Sequence, residues 1–144
     1  MLPEAVPPSV ERADLLPPWQ GFLASVSAGV NEEVLFRLGL MTLFVFLGAR
    51  LLRQGERPAA RVVWAAIALA ALLFGAVHLP QAAALGGGLS ATLVASVLLG
   101  NGLIGMAFGW LYWRRGLLAA VTAHLATGVA LYVVAPAIAL LASS

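Results

Sequence analysis

The chain has no cysteine and no lysine, and Asp14 is the one aspartate among its 144 residues. Without cysteine there is no disulfide, no thiolate metal site and no cysteine nucleophile, and the redox compartment stays undetermined. An aspartic protease that works inside the membrane needs two aspartates in its spans, so that class is excluded. The HExxH motif of helical zinc proteases is also missing. The chemistry must come from glutamate, histidine, arginine, serine or asparagine.

Charge of either sign is scarce as well. Charged residues make up 10% of the chain and hydrophobic residues 62%, and the mean hydropathy is +0.98. A soluble domain carries about 25% charged residues, so this composition requires a bilayer as the main solvent and predicts an integral, multi-pass membrane protein. The net charge of +2 is too weak an excess to indicate a nucleic-acid partner.

The chain divides into a polar tail, residues 1–21, and an apolar core, residues 22–144. Five prolines in the tail alternate with charged residues, a spacing that cannot hold a helix. The core contains four apolar stretches, each long enough for the roughly 20 helical residues that cross a hydrocarbon layer. We therefore predict an all-α polytopic protein with about four transmembrane helices, over residues 22–52, 62–79, 89–113 and 117–135, with Pro136 ending or kinking the last one.

The arginines predict the orientation of these spans. Six of them fall in the first and third connections, which a four-span chain places on the same face. The positive-inside rule makes that face cytoplasmic, so the tail and the glycine loop at residues 86–88 would lie outside. The predicted location is a prokaryotic plasma membrane.

Three charged residues, Glu32, Glu33 and Arg37, lie within the first apolar stretch. Together they would cost on the order of 8 kcal/mol to insert if unpaired. Glu33 and Arg37 are four residues apart in the favourable order, acid first, which predicts an ion pair. Glu32 points about 100° away and has no basic residue four positions later, so it is a candidate general base. The alternative is a buried salt-bridge cluster that only fixes helix packing.

The two histidines, His78 and His124, each lie in an otherwise uncharged stretch. With Glu32 they form a set that can activate water, or can hold a divalent metal such as zinc and leave a position open for water. Their depths differ, because His78 lies about 26 Å along its helix from Arg61 and His124 about 14 Å from Arg115. Straight parallel helices would not bring them level. Either a tilt, a kink or a re-entrant start closes this gap, or one histidine lies outside the site.

Two features of the third stretch have more than one interpretation. Gly105 and Gly109 form a GxxxG pair, which favours close helix packing over ligand binding. A dimer through the same pair is left open, as is the oligomeric state. Asn101 is either an interhelical hydrogen-bonding residue or a supporting group of the site.

Three motifs in order resemble those of the CPBP family, the CAAX proteases and bacteriocin-processing enzymes also called the ABI family. The segment 32–37, EEVLFR, matches EExxxR; the segment 74–78, FGAVH, matches FxxxH; and His124 resembles the histidine of the third motif. The resemblance implies a CPBP-type membrane core and an endopeptidase that cleaves a membrane-associated peptide or a prenylated protein. It implies that Glu32 deprotonates water with the help of His78, that His124 stabilises the oxyanion, and that Glu33 and Arg37 hold the shape of the site.

Leu38 follows Arg37 where the family often has glycine, which is a minor departure from the pattern. Gly128 stands four residues after His124, where the family has asparagine. This departure favours an alternative function, that of a non-catalytic relative acting in bacteriocin immunity or membrane-peptide binding. A third hypothesis is a small transporter or proton-conducting bundle in which Glu32, Glu33 and His78 form a relay. Metal dependence is left open by the sequence.

Overall fold

Four long helices make up the part of the chain that the computed structural model describes, residues 17–55 and 57–143. Each is long and apolar enough to cross a membrane: α1 Pro18–Leu51, α2 Ala60–Leu85, α3 Ala91–Arg115 and α4 Leu117–Ala139. The prediction of an all-α protein with four spans is confirmed. Residues 1–16, which include most of the predicted tail, lie outside the described residues.

The helix ends follow local chemistry. α1 begins at Pro18, earlier than the predicted start at residue 22, because proline in the first turn loses no helical hydrogen bond. Before α3, the Ser90 hydroxyl accepts a hydrogen bond of 3.1 Å from the backbone N–H of Leu93, which caps the helix. Between α3 and α4, Gly116 has a φ of +89°, a conformation that glycine adopts without strain and that sends the chain directly into the next helix.

Prolines interrupt two of the helices without ending them. Pro80 has no N–H for the carbonyl of Ala76, so α2 is broken at a single turn residue, His78, and resumes as Leu79–Leu85. The predicted end near residue 79 therefore comes too early. In α4, the π-helical segment Ala130–Val134 precedes Pro136, and the chain stays helical through Ala135–Ser143.

α1 changes its packing partner half-way along its length. It consists of an α-helical segment Pro18–Glu33, a π-helical segment Val34–Met41 and a second α-helical segment Thr42–Leu51. The first segment packs on α4, and the other two pack on α2. The wider π turn changes the face that the helix presents, and the change begins immediately after Glu33. Such segments frequently occur at functional sites.

Glycines allow the helices to approach closely. On α3, a Cβ added at Gly105 would lie 3.2 Å from Ala71, and one at Gly109 would lie 3.0 Å from Ile67, both on α2. The predicted close packing at this pair is confirmed, and it occurs within the chain. The buried core beside it is apolar and consists of Met41, Val63, Ala66, Ile67 and Ala70.

Candidate active site

A buried ion pair lies at the middle of α1. Glu33 and Arg37 are both fully buried, and the Nε of Arg37 lies 3.1 Å from Oε2 of Glu33, which confirms the predicted pair. The contact is an ion pair rather than a directed hydrogen bond, because none of the guanidinium nitrogens has a hydrogen-bond partner among the described residues. The guanidinium carbon instead lies 5.1 Å from the ring centroid of Phe74 and 5.9 Å from that of Phe108. These aromatic faces add cation–π attraction.

His124, on α4, is oriented by this pair. Its Nδ1–H donates a hydrogen bond of 2.9 Å to the other carboxylate oxygen of Glu33, and its ring stacks on Phe108 with centroids 4.8 Å apart. The hydrogen bond fixes the ring position and leaves Nε2 free to face the opposite way. That atom lies 3.7 Å from Oε2 of Glu32.

His78, at the break in α2, faces the same carboxylate. Its Nδ1–H donates a hydrogen bond of 2.7 Å to the carbonyl of Phe74, one turn earlier, which turns the ring back along the helix. Its Nε2 then lies 4.0 Å from Oε2 of Glu32. The structure thus brings together the predicted Glu32, His78 and His124.

α1 packs against both of the helices that carry the histidines, close to each histidine. Phe36 of α1 packs edge-on against Phe74 of α2 at 5.2 Å, while Gly29 of α1 contacts Leu125 of α4. The acidic residues therefore lie where α1 passes from α4 to α2.

A cavity of about 100 Å³ opens onto these groups. The side chains of Glu32 and His78 are 31% and 28% exposed, while that of His124 is 12% exposed. The other polar residues that line the cavity are Ser25, Asn101, Thr127 and Tyr132. Ser25, Thr127 and Tyr132 carry no charge and belong to no motif, and only their packing places them here.

Two hydroxyl donors in the cavity wall are committed elsewhere. The hydroxyl of Ser25 donates to the carbonyl of Gly21 at 2.7 Å, and that of Thr127 donates to the carbonyl of Ala123 at 2.9 Å. The amide of Asn101 donates one hydrogen bond of 3.0 Å to the carbonyl of Val97. An amide nitrogen carries two hydrogens, so Asn101 has a second donor available.

Glu32, His78 and His124 are the predicted ligands of a divalent metal such as zinc. One carboxylate and two imidazole nitrogens are ligands that zinc accepts. Among residues 17–55 and 57–143, however, no group of three or more histidine or acidic side chains is arranged to hold a metal ion. A metal bound by Glu32, His78 and His124 remains a prediction.

The sequence matches a family described as type II CAAX prenyl endopeptidase Rce1-like over residues 14–130. The chain belongs to the Rce1-like family. At family level its function is that of an intramembrane protease of the CAAX type, which acts on a peptide or protein in the bilayer. Comparisons with curated proteins and with solved structures gave no significant match.

The family match covers the acidic pair of α1, His78, Asn101 and His124, while Tyr132 of the cavity wall lies just beyond it. It also covers Gly128, where the family pattern has asparagine. A Cβ at this position would lie 2.8 Å from both Cβ and Oγ of Ser25. Since α1 lies this close to α4, a side chain at position 128 would require Ser25 to shift.

Proposed function

We propose that the chain is an endopeptidase in which Glu32 activates water for the hydrolysis of a membrane-associated peptide. The observation that carries this proposal is the meeting of three helices at one carboxylate, with both histidine Nε2 atoms within 4.0 Å of Glu32 Oε2. Among the described residues no arginine lies within ion-pair distance of Glu32, whereas Glu33 is paired with Arg37. The two neighbouring glutamates therefore have separate roles: Glu32 reacts, and Glu33 supports.

Water would bind between Glu32 and His78. The Nδ1–H of His78 is committed to the Phe74 carbonyl, so its Nε2 presents a lone pair to the cavity. A water molecule can donate one hydrogen to this nitrogen and the other to the carboxylate. Glu32 takes the proton as the water oxygen bonds to the scissile carbonyl carbon, and it later returns the proton to the leaving amine as the C–N bond breaks.

His124 would stabilise the oxyanion of the tetrahedral intermediate. For this role its Nε2 must carry a proton while Nδ1–H remains bonded to Glu33. A protonated His124 makes the set of Glu32, Glu33, Arg37 and His124 electrically neutral, two positive charges facing two negative ones. Neutrality matters here because unbalanced charge is costly in a low-dielectric interior.

Asn101 would supply a second donor to the oxyanion. Its uncommitted amide N–H belongs to the wall that also carries His124 and Glu32. The hydroxyls of Ser25 and Thr127 cannot substitute, because each has one hydrogen and donates it within its own helix. Asn101 would thus take the place of an amide at position 128, where a side chain would be crowded by Ser25.

The proposal is tested by cleavage of a quenched-fluorescent peptide library by the full chain in lipid. Glu32→Gln removes the base at nearly constant shape and is expected to lower kcat at least about a hundredfold. Asn101→Ala removes one oxyanion donor and is expected to lower kcat by about 10² with little change in KM. Thr127→Val is the matched control in the same wall, and its kcat should stay within about threefold of wild type.

Each result has a distinct meaning. Equal cleavage by wild type and Glu32→Gln would contradict the role of Glu32. Normal activity in Asn101→Ala, with Glu32→Gln inactive, would remove Asn101 from the mechanism and leave the rest in place. Cleavage that a chelator abolishes and zinc restores would replace the proposed mechanism with the metal-dependent one.

A non-catalytic function is the second candidate, favoured by the glycine at position 128. A folded wild-type chain that binds peptides from the library with about the same affinity as Glu32→Gln, and that cleaves none of them, would support a peptide-binding or immunity role. The physiological substrate class, a prenylated protein or another membrane peptide, is tested by adding both kinds to the library.

A further inference from the structure

A second cavity, of about 590 Å³, lies at the other end of the bundle from the glycine loop. This volume is within the roughly 300–1,000 Å³ typical of small-molecule sites. It lies between the second half of α1 and the end of α3. Apolar groups line most of it: Met41, Val45, Val63 and Trp113. We call it the inner groove.

The inner groove exists because α4 does not extend over it. α4 packs on the first segment of α1, Pro18–Glu33, whereas the groove lies beside the later residues 41–45. The two walls are joined by a hydrogen bond of 3.0 Å between Thr42 and Tyr112. The Thr42 hydroxyl already donates to the carbonyl of Arg37, so Tyr112 is the donor in this bond. Among the described residues, the groove shares no lining residue with the catalytic cavity and is a separate site.

The groove has one cationic residue among the described residues of its lining. Arg57 lines it, beside Pro58 and Gly116. Its side chain is exposed and makes no ion pair with a described acidic residue. This end of the bundle, with its two connections and the adjoining helix ends, carries six arginines and one glutamate, which leaves +5. A ligand that suits this site has an apolar chain and an anionic head.

We propose that the inner groove binds an anionic phospholipid, with one acyl chain against the apolar wall and the phosphate at Arg57. The guanidinium group is suited to phosphate because it donates two parallel hydrogen bonds. Interfacial aromatic residues place this end at the headgroup level: Trp64 and Trp113 are in ring contact at 5.9 Å, and Arg114 lies over Trp113. A bilayer supplies such lipids at the mouth of the groove.

Native mass spectrometry of the full chain in mild detergent tests the proposal, with phosphatidylglycerol and phosphatidylcholine as probes. Wild type should retain one phosphatidylglycerol at least about tenfold more tightly than phosphatidylcholine. Arg57→Gln should remove that preference. Arg50→Gln is the matched control, since it removes one charge from the same end without lining the groove. Val45→Trp, which fills the apolar part without changing charge, should weaken the binding of both lipids.

Three outcomes would overturn the proposal. Equal losses in Arg57→Gln and Arg50→Gln would show that lipid is attracted by diffuse surface charge. Unchanged binding in Val45→Trp would show that no acyl chain enters the groove. Displacement of the lipid by inorganic phosphate alone would show a free-anion site. Circular dichroism and gel filtration of each variant establish that it is folded, and Val45→Phe replaces Val45→Trp if that variant fails.

Discussion

The side chains of the site are fixed by a series of contacts. Arg37 forms an ion pair with Glu33, Glu33 accepts a hydrogen bond from His124, and the carbonyl of Phe74 accepts one from His78. Glu32 is therefore the least constrained of the charged groups. This order is only partly readable from the sequence. The spacing of Glu33 and Arg37 predicts their pairing. The bond from Glu33 to His124 joins residues 91 positions apart, and no local pattern predicts it.

The buried pair predicts a non-additive effect on stability. Arg37→Met alone leaves the Glu33 carboxylate unpaired in a fully buried position, and Glu33→Gln alone leaves the guanidinium unpaired. Each single variant should lose about 3–5 kcal/mol in free energy of unfolding. The double variant should lose clearly less than the sum, because no charge is then left alone. Unfolding by denaturing detergent, followed by circular dichroism, measures this.

Arg50→Met is the control for loss of an exposed arginine, and a change within about 0.5 kcal/mol is expected. Strictly additive losses in the double variant would show that the two groups do not stabilise each other.

Whole helices were predictable from the sequence because four apolar stretches have membrane-spanning length. The interruptions within these helices are harder to predict from the sequence. The π-helical segments Val34–Met41 and Ala130–Val134 have no sequence signature, since they arise from a shift in backbone hydrogen bonding that leaves the hydrophobic pattern intact. The sequence predicts that a span ends at Pro80, but the helix resumes as Leu79–Leu85. The break places His78 in the site, which its position near the end of the span did not predict.

The contact between α1 and α4 depends on Gly128, which gives a prediction at the element scale. Gly128→Ala should lose about 1–3 kcal/mol in free energy of unfolding, because the new methyl group would overlap the side chain of Ser25. Gly100→Ala on α3 is the matched control, since a Cβ there meets nothing within 4 Å, and it should be neutral or stabilising by up to about 1 kcal/mol.

Ser25→Gly should relieve the overlap. In a double-mutant cycle, Ser25→Gly and Gly128→Ala together should be more stable than the sum of their separate effects by about 0.5–3 kcal/mol. A coupling energy near zero would mean that the helices separate freely at this point.

The whole molecule has a charge asymmetry that predicts its orientation. Since the chain contains no cysteine, single cysteines can be labelled without background. Arg50→Cys and Leu89→Cys lie at opposite ends of the bundle, and both positions are exposed. In intact bacterial cells, a membrane-impermeant maleimide should label Leu89→Cys, whereas Arg50→Cys should react only after the membrane is opened. The reverse pattern would place the arginines outside.

The small volume of the catalytic cavity restricts what can be cut. An α-helix with its side chains is about 10–12 Å across, and a space of about 100 Å³ cannot admit one. A peptide that reaches Glu32 must therefore be unwound where it meets the carboxylate. Susceptible bonds should lie beside glycine or proline, or where a transmembrane segment ends. Selection among membrane peptides then depends on the local stability of the substrate helix.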